Sequence, residues 1–397
     1  MLEHHFDTYR QIAFLSGPRQ VGKTTTTRQL LSRYENTSYI NWDNFSDRRR
    51  ILAGLESFSE HIGLTNLGGE QQICAFDELH KYTEWRDFLK GIFDGNRHLK
   101  MMVTGSARLS VFSRGGDSLR GRYFTYDMHP LSVAELAHDG RVSSNQSGLS
   151  DPSELPNDQW HALMTFGGFP EPFTKASQTF HGRWSMTSNE QLLREDIRDL
   201  TRVQELSQIE MLALRIQRQV GQLTSYSSFA RDIRSTVPTI QRWIDILESL
   251  YYCFRVTPWR RNVAGLLRKE PKYYLWDWSQ VHDRGARAEN LIASALLKFA
   301  RWRTEQGHGV YALHFLRDKQ KREVDFVVVR DERPWILVEV KSGADSSLSK
   351  RLHHFQRLTG AQHAFQVAVN ADYIDRDCFD ETGPIIVPAK TFLSQLV

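Results

Sequence analysis

Cysteine is scarce in this chain. The three present, Cys74, Cys253 and Cys378, lie far apart and lack metal-ligand spacing. A disulfide framework and a cysteine-based metal site are therefore not expected, and a reducing cytoplasm fits best. Long apolar runs are missing too, so no membrane partner is expected. Met1 to Asp7 does not follow the basic, apolar, small-residue order of a secretory signal. Strong charge of one sign is also absent: the net charge of +4 is too mild to establish nucleic-acid binding. Local basic stretches, from Arg255 to Lys269 and from Lys319 to Arg322, read equally as solvated faces or as phosphate contacts. There is no internal repeat and no extended low-complexity run.

What is present starts with size. At 397 residues, 40% hydrophobic and 25% charged, the chain has room for two or three domains, each with its own core. The most informative segment is Gly17-Pro18-Arg19-Gln20-Val21-Gly22-Lys23-Thr24, which matches G-x-x-x-x-G-K-[ST] at every fixed position. Gln11 to Leu15 before it is strand-like, and Thr25 to Leu31 after it suits a helix. A glycine-rich turn between strand and helix aims backbone N–H groups at a phosphate. Lys23 can then reach the β- and γ-phosphates, and the Thr24 hydroxyl can sit on Mg²⁺.

Further strands are expected at Ser38–Trp42, Gln72–Phe76, Leu99–Val103 and Tyr123–Tyr126, separated by helical segments. This alternation implies an α/β fold with a mostly parallel sheet. Ligands of such sheets lie at the carboxyl ends of the strands, where Asp77, Thr104 and Ser106 fall. Asp77 suits the metal or its water, and Glu78 suits orienting the attacking water. Thr104 or Ser106 is placed to touch the γ-phosphate, or else to cap a turn. Arg108, Arg114, Arg120 and Arg122 crowd the next segment, and one of them can serve as an arginine finger in an oligomer.

Gly140 to Asp158 is polar and rich in Ser, Asn and Pro, a linker pattern. His161 to Arg218 is helical in pattern. Ser227 to Tyr252 reads as a helix-turn-helix, with Pro238 opening the second helix. Ile240, Ile244, Leu247 and Leu250 follow near 3.6-residue spacing. Thr239, Gln241, Arg242 and Asp245 would face outward, suited to DNA contact or to docking. Cys253–Val256 and Lys272–Trp276 read as the two strands of a wing.

These segments together resemble a bacterial and archaeal group of AAA-type ATPases that carry a C-terminal domain of unknown function. The resemblance is carried by the phosphate loop through Thr25 and by Tyr39-Ile40-Asn41-Trp42-Asp43, Phe76-Asp77-Glu78, Thr104-Gly105-Ser106 and Leu119-Arg120-Gly121-Arg122. It continues through Pro130-Leu131-Ser132, Gly167-Gly168-Phe169-Pro170-Glu171 and Leu193-Arg194-Glu195-Asp196-Ile197. It implies ATP and Mg²⁺ binding, ATP hydrolysis, a helical lid, a winged helix and Arg122 as the finger. Trp42 and Trp276-Asp277-Trp278 depart from the smaller residues expected there.

A second constellation lies near the C-terminus. Glu339 and Lys341 are two residues apart on an apolar strand, hence on one face. Asp325 lies on the preceding strand, and a hairpin through Asp331 to Pro334 brings it close to Glu339. Two carboxylates can hold a divalent metal, with Lys341 positioning water, and Glu289 on the preceding helix can complete the set. The order of helix Glu, strand Asp and Glu-x-Lys resembles the PD-(D/E)XK nuclease superfamily. That resemblance implies Asp325 and Glu339 as metal ligands and Lys341 as the catalytic lysine.

The expected organisation is thus an ATPase domain at 1–138, a polar linker or loop at 139–160, a helical lid at 161–210, a winged helix-turn-helix at 211–282 and a restriction-endonuclease-like α/β domain at 283–397. The leading expectation is a DNA-binding, oligomeric ATPase whose C-terminal site either cuts DNA or only holds it. The alternatives are a nucleotide-switched ATPase with a protein partner and a metal-dependent nuclease gated by ATP.

Overall fold

The computed structural model describes residues 1–63, 72–105, 119–140, 148–197, 205–259, 270–343 and 347–396. It divides into two compact units, Met1–His129 and Pro130–Val397.

The first unit holds five strands: β1 (Ile12–Ser16), β2 (Thr37–Asn41), β3 (Gln72–Asp77), β4 (Leu99–Gly105) and β5 (Tyr123–Asp127). All pair in parallel, in the order β2-β3-β4-β1-β5. The central strands read as continuous apolar runs because both faces are covered. Alternation sends successive residues to opposite sides. Phe14, Phe76 and Val103 pack with Phe88, Leu89 and Ile92 of helix Trp85–Gly95. Leu15, Ala75 and Met102 pack with Leu30 and Leu31 of helix Lys23–Leu31 and with Phe6. The registers Ser16↔Gly105, Asp77↔Thr104, Asn41↔Asp77 and Ser16↔Asp127 align the carboxyl ends of all five strands. Ser106, Arg108 and Arg114 lie outside the described residues.

In the second unit, helices Val133–Ala137, Asn157–Phe166, Pro170–Lys175, Gln178–Glu190 and Leu206–Arg218 come first. The helix-turn-helix pair follows as Tyr226–Ile233 and Val237–Ser249. Thr236 caps the second helix and Pro238 sits in its first turn, as the sequence pattern predicts. The next strands are β6 (Cys253–Pro258), β7 (Lys272–Leu275), β8 (Tyr311–Arg317), β9 (Glu323–Arg330), β10 (Arg333–Lys341), β11 (His363–Ala368) and β12 (Pro384–Pro388). They form one seven-stranded sheet in the order β12-β11-β10-β9-β8-β6-β7.

One difference from the sequence expectation is topological. β6 and β7 do pair as an antiparallel hairpin, but β6 also joins β8 in parallel through Thr257↔His314 and Pro258↔Phe315. The strands expected to form a wing are therefore continuous with the C-terminal sheet. Helix Arg284–Glu305 is the helix that carries Glu289. It is fastened to β7 by fully buried Asn290, whose side chain accepts from Leu275 N and donates to Leu275 O, both at 2.8 Å. This amide acts as a further strand partner at the sheet's outer edge. Among the described residues no helix is long and apolar enough to cross a membrane.

Asn290→Ala leaves a buried backbone donor and acceptor without partners. It is expected to lower stability by about 1–3 kcal/mol, measured by denaturant unfolding.

Candidate functional site

In the first unit, β1 ends against the turn that leads to helix Lys23–Leu31. Gln20 and Gly22 take positive φ angles of 60° and 107°, which turn the loop's N–H groups inward. Gly17 lies so close to β5's exit that a Cβ there would stand 2.4 Å from the Met128 carbonyl oxygen. Lys23 is buried and donates to the carbonyls of Gly17 at 2.8 Å and Pro18 at 2.6 Å. The helix N-terminus carries no acidic residue in its first turn, which favours an anion there. Val21 is buried, whereas Thr24 and Thr25 are exposed.

Asp77, buried at the end of β3, accepts from three hydroxyls. Thr24 donates to its Oδ2 at 2.9 Å, Tyr39 also donates to Oδ2, and Thr104 donates to Oδ1. Burial and the bond to Asp77 raise the Tyr39 phenol well above its ordinary range, so it remains a donor. Glu78 takes a left-handed backbone with φ of 55°, and its N–H donates to Thr104 O at 3.0 Å. Its carboxylate lies 3.4 Å from Lys81 Nζ and 3.6 Å from His80 Nε2. Burial lowers the His80 pKa, although Glu78 opposes this.

The structure therefore brings Lys23, Thr24, Asp77, Glu78 and Thr104 to one edge of the sheet. It does not bring Arg122 there. Arg122 leads into β5 at the amino ends of the strands, where its carbonyl accepts from Ile12 N. Its guanidinium forms a two-bond pair with Asp94 at 2.9 and 3.0 Å. Tyr39 was given no role by its sequence. Only the parallel register, Tyr39↔Ala75 beside Asn41↔Asp77, puts it on the face of Asp77.

The donor set suits a hard divalent cation: one hydroxyl and one carboxylate meet at a phosphate-facing helix start. Thr24 and Asp77 would hold such an ion.

In the second unit, β9 and β10 pair in antiparallel register through Phe326↔Val338, which sets Asp325 beside Glu339. Asp325 Oδ2 accepts from Val340 N at 2.8 Å. Lys341 Nζ and Glu339 Oε1 are 2.9 Å apart, on the common face that alternation predicts. Glu339 is buried, and its Oε2 has no hydrogen-bond partner among the described residues. Glu289 instead accepts from Tyr274 OH at 2.7 Å and lies 3.8 Å from Lys272 Nζ.

Lys272, Glu323 and Tyr274 are additions that sequence reading missed. Lys272 Nζ bonds Glu323 Oε1 at 2.6 Å, and Arg317 holds the other Glu323 oxygen at 2.6 Å. Burial opposes the Lys272 charge, but Glu289, Glu323 and Asp325 outweigh it and raise its pKa. Burial raises Asp325, with Glu339 and Glu323 adding to it against Lys272. Burial first, then repulsion by Asp325, pushes Glu289 up to about 7. Among the described residues no group of three or more His, Cys, Asp or Glu is arranged to hold a metal ion. Asp325 and Glu339 form a pair, with Glu289 turned toward Tyr274.

A parallel α/β sheet with this loop at its carboxyl edge defines the class of nucleotide-binding P-loop domains. Residues 9–137 match the family model described as AAA domain, and the chain carries such a domain there. Residues 157–284 and 284–390 match two models, each described as a domain of unknown function. An uncharacterized protein of Mycobacterium tuberculosis is 24% identical over 349 residues, covering 86% of this chain and 72% of that protein. One from Haemophilus influenzae is 22% identical, covering 72% and 74%. Among solved structures, Caenorhabditis elegans PCH-2 is 14% identical over 61% of each chain, with a TM-score of 0.24. A Drosophila ORC structure bound to AT-rich DNA and Cdc6 is 9% identical, covering 74% of this chain and 89% of that one, with a TM-score of 0.25. At those scores neither overlay defines this fold.

Glu289 generates a pH prediction. Its pKa is raised, so between the ordinary carboxylate range and about 7 the folded chain keeps a proton that the unfolded chain has lost. Stability therefore falls as pH rises through that window. Glu289→Gln should flatten the decline between pH 5 and 7.5, seen as a parent-minus-variant difference in unfolding free energy that changes with pH.

Proposed function

We propose that this protein hydrolyses ATP in a Mg²⁺-dependent reaction at the phosphate loop, works as an oligomer, and engages DNA through its second unit. The observation that carries the first part is the convergence of Lys23, Thr24, Asp77 and Glu78 at the carboxyl edge of a parallel sheet. Gly17 to Thr25 wrap the phosphates with backbone N–H groups. Lys23 moves its ammonium from the loop carbonyls to the β/γ-phosphates. Thr24 and Asp77 would hold a Mg²⁺ ion, which would supply charge neutralisation as the phosphoryl group is transferred. Tyr39 and Thr104 hold the Asp77 carboxylate in place, and Glu78 orients the attacking water. Ser106 is the further γ-phosphate contact of this reading. Arg122, which faces away from its own chain's loop, acts on a neighbouring subunit.

For the second unit, Asp325, Glu339 and Lys341 support a nuclease-like site that holds DNA. The orphaned Glu339 oxygen and the adjoining Asp325 suit a divalent ion, with Glu289 close by, if the site also cuts.

One observation favours a second reading for the helix-turn-helix. Arg242 is bonded to both oxygens of Glu205 at 2.7 and 2.6 Å, and Asp245 to Arg255 at 2.8 Å. Thr239 and Thr236 share a hydroxyl bond. These partners suit a helix pair that acts as a protein scaffold in a nucleotide-switched ATPase without DNA activity.

The two readings separate in an assay of ATP turnover with single-stranded, duplex and branched DNA, with cleavage followed in the same tubes. Stimulation by DNA supports the first, and indifference supports the second. Lys23→Ala should lower turnover on the order of 100-fold, and chelation of Mg²⁺ should abolish it. Glu78→Gln should retain ATP but not turn it over. If cleavage occurs, Glu339→Ala should remove it.

A further inference from the structure

Beside the Asp325–Glu339–Lys341 cluster lies a cleft of about 630 Å³. Its floor is the carboxyl end of β10 and the residues after β11. One wall is the first turn of helix Arg284–Glu305, and the other is helix Asn157–Phe166. The facing wall comes from well outside the nuclease-like segment and contributes Trp160 and His161. It is firmly held: Trp278 Nε1 donates to Leu163 O at 2.8 Å, and Lys390 Nζ donates to Asn157 Oδ1 at 2.7 Å. The lining carries three permanent cations, Arg284, Arg287 and Lys341, against one carboxylate, Glu289. Arg287 is set in place by its Nε bond to Val281 O at 2.8 Å, and Lys341 by Glu339 at 2.9 Å.

We infer that this cleft is a composite site for an unpaired nucleotide of single-stranded DNA, with the base on Trp160 and the phosphate on Arg284, Arg287 and Lys341. The volume is that of a small-ligand pocket. It admits one or two nucleotide units but not a duplex, whose base faces are already stacked away. An indole beside a basic groove is the pairing that single strands recognise, because every base offers a π-face and every nucleotide a phosphate. This inference rests on the proposed DNA engagement by the second unit. It narrows that proposal to strand ends or unpaired stretches and assigns part of the site to helix Asn157–Phe166.

The test is equilibrium binding of the full chain, without nucleotide, to a fluorescent oligo-dT and to a blunt duplex of equal length. Preference for oligo-dT is expected, with a loss on the order of tenfold for Trp160→Ala and near-parent binding for Trp160→Phe, which keeps a stacking ring. Arg284→Ala combined with Arg287→Ala should weaken binding and flatten its salt dependence. Matching thermal unfolding of parent and variants excludes misfolding as the cause. Equal binding of both DNAs, or oligo-dT binding untouched in Trp160→Ala, overturns the cleft assignment and leaves DNA engagement standing. Displacement by dTMP at equal concentration assigns the cleft to free nucleotides and overturns its role on DNA. Failure of the parent to bind any DNA sinks the underlying proposal as well.

Discussion

A buried carboxylate must be surrounded by donors, and the first unit is built around that requirement at Asp77. Its three hydroxyl donors come from the phosphate-loop helix, from β2 and from β4. Each donor reaches Asp77 only when its element stands in register with β3. The polar network and the parallel ladder therefore specify one another. The loop uses the same economy, since Lys23 satisfies its buried ammonium with the loop's own carbonyls. The group expected to grip phosphate is thereby held within reach of it.

The second unit meets the opposite need. Lys272 is a buried cation, and Glu289, Glu323 and Asp325 surround it. Burial is the larger cause that raises Glu289 and Asp325; Asp325 and Glu323 add to it at Glu289, and Glu339 and Glu323 add to it at Asp325. This cluster ties β7, β9 and helix Arg284–Glu305 together, which accounts for a hairpin that belongs to the large sheet and does not stand apart as a wing. Lys272 is bonded to Glu323 and Lys341 to Glu339, and the cationic cleft lies beside this cluster.

Part of this was legible along the chain. The phosphate loop, the Asp77-Glu78 step and the Glu339-x-Lys341 alternation each occupy one short segment, and local geometry decides them. The helix-turn-helix was legible for the same reason, through Pro238 and the spacing of Ile240, Ile244 and Leu247. Tyr39 and Lys272 were not. Tyr39 looked like an ordinary strand aromatic and Lys272 like the first residue of a wing strand. Their partners are 38 and 51 residues away, at Asp77 and Glu323. β12 also went unforeseen, because Pro384 and Pro388 bound a run short enough to pass for loop.

The order of residues by itself determined an α/β domain with a phosphate-binding loop, since a turn's dihedral demands and a strand's two-residue period are properties of neighbours. Tertiary structure alone decided which hydroxyls reach Asp77, that Arg122 pairs with Asp94 away from the loop, and that Trp160 lines the cleft beside Lys341. Those outcomes depend on strand order and helix docking. Both are set by burying apolar faces over the whole unit, a sum of many contacts that no short stretch contains.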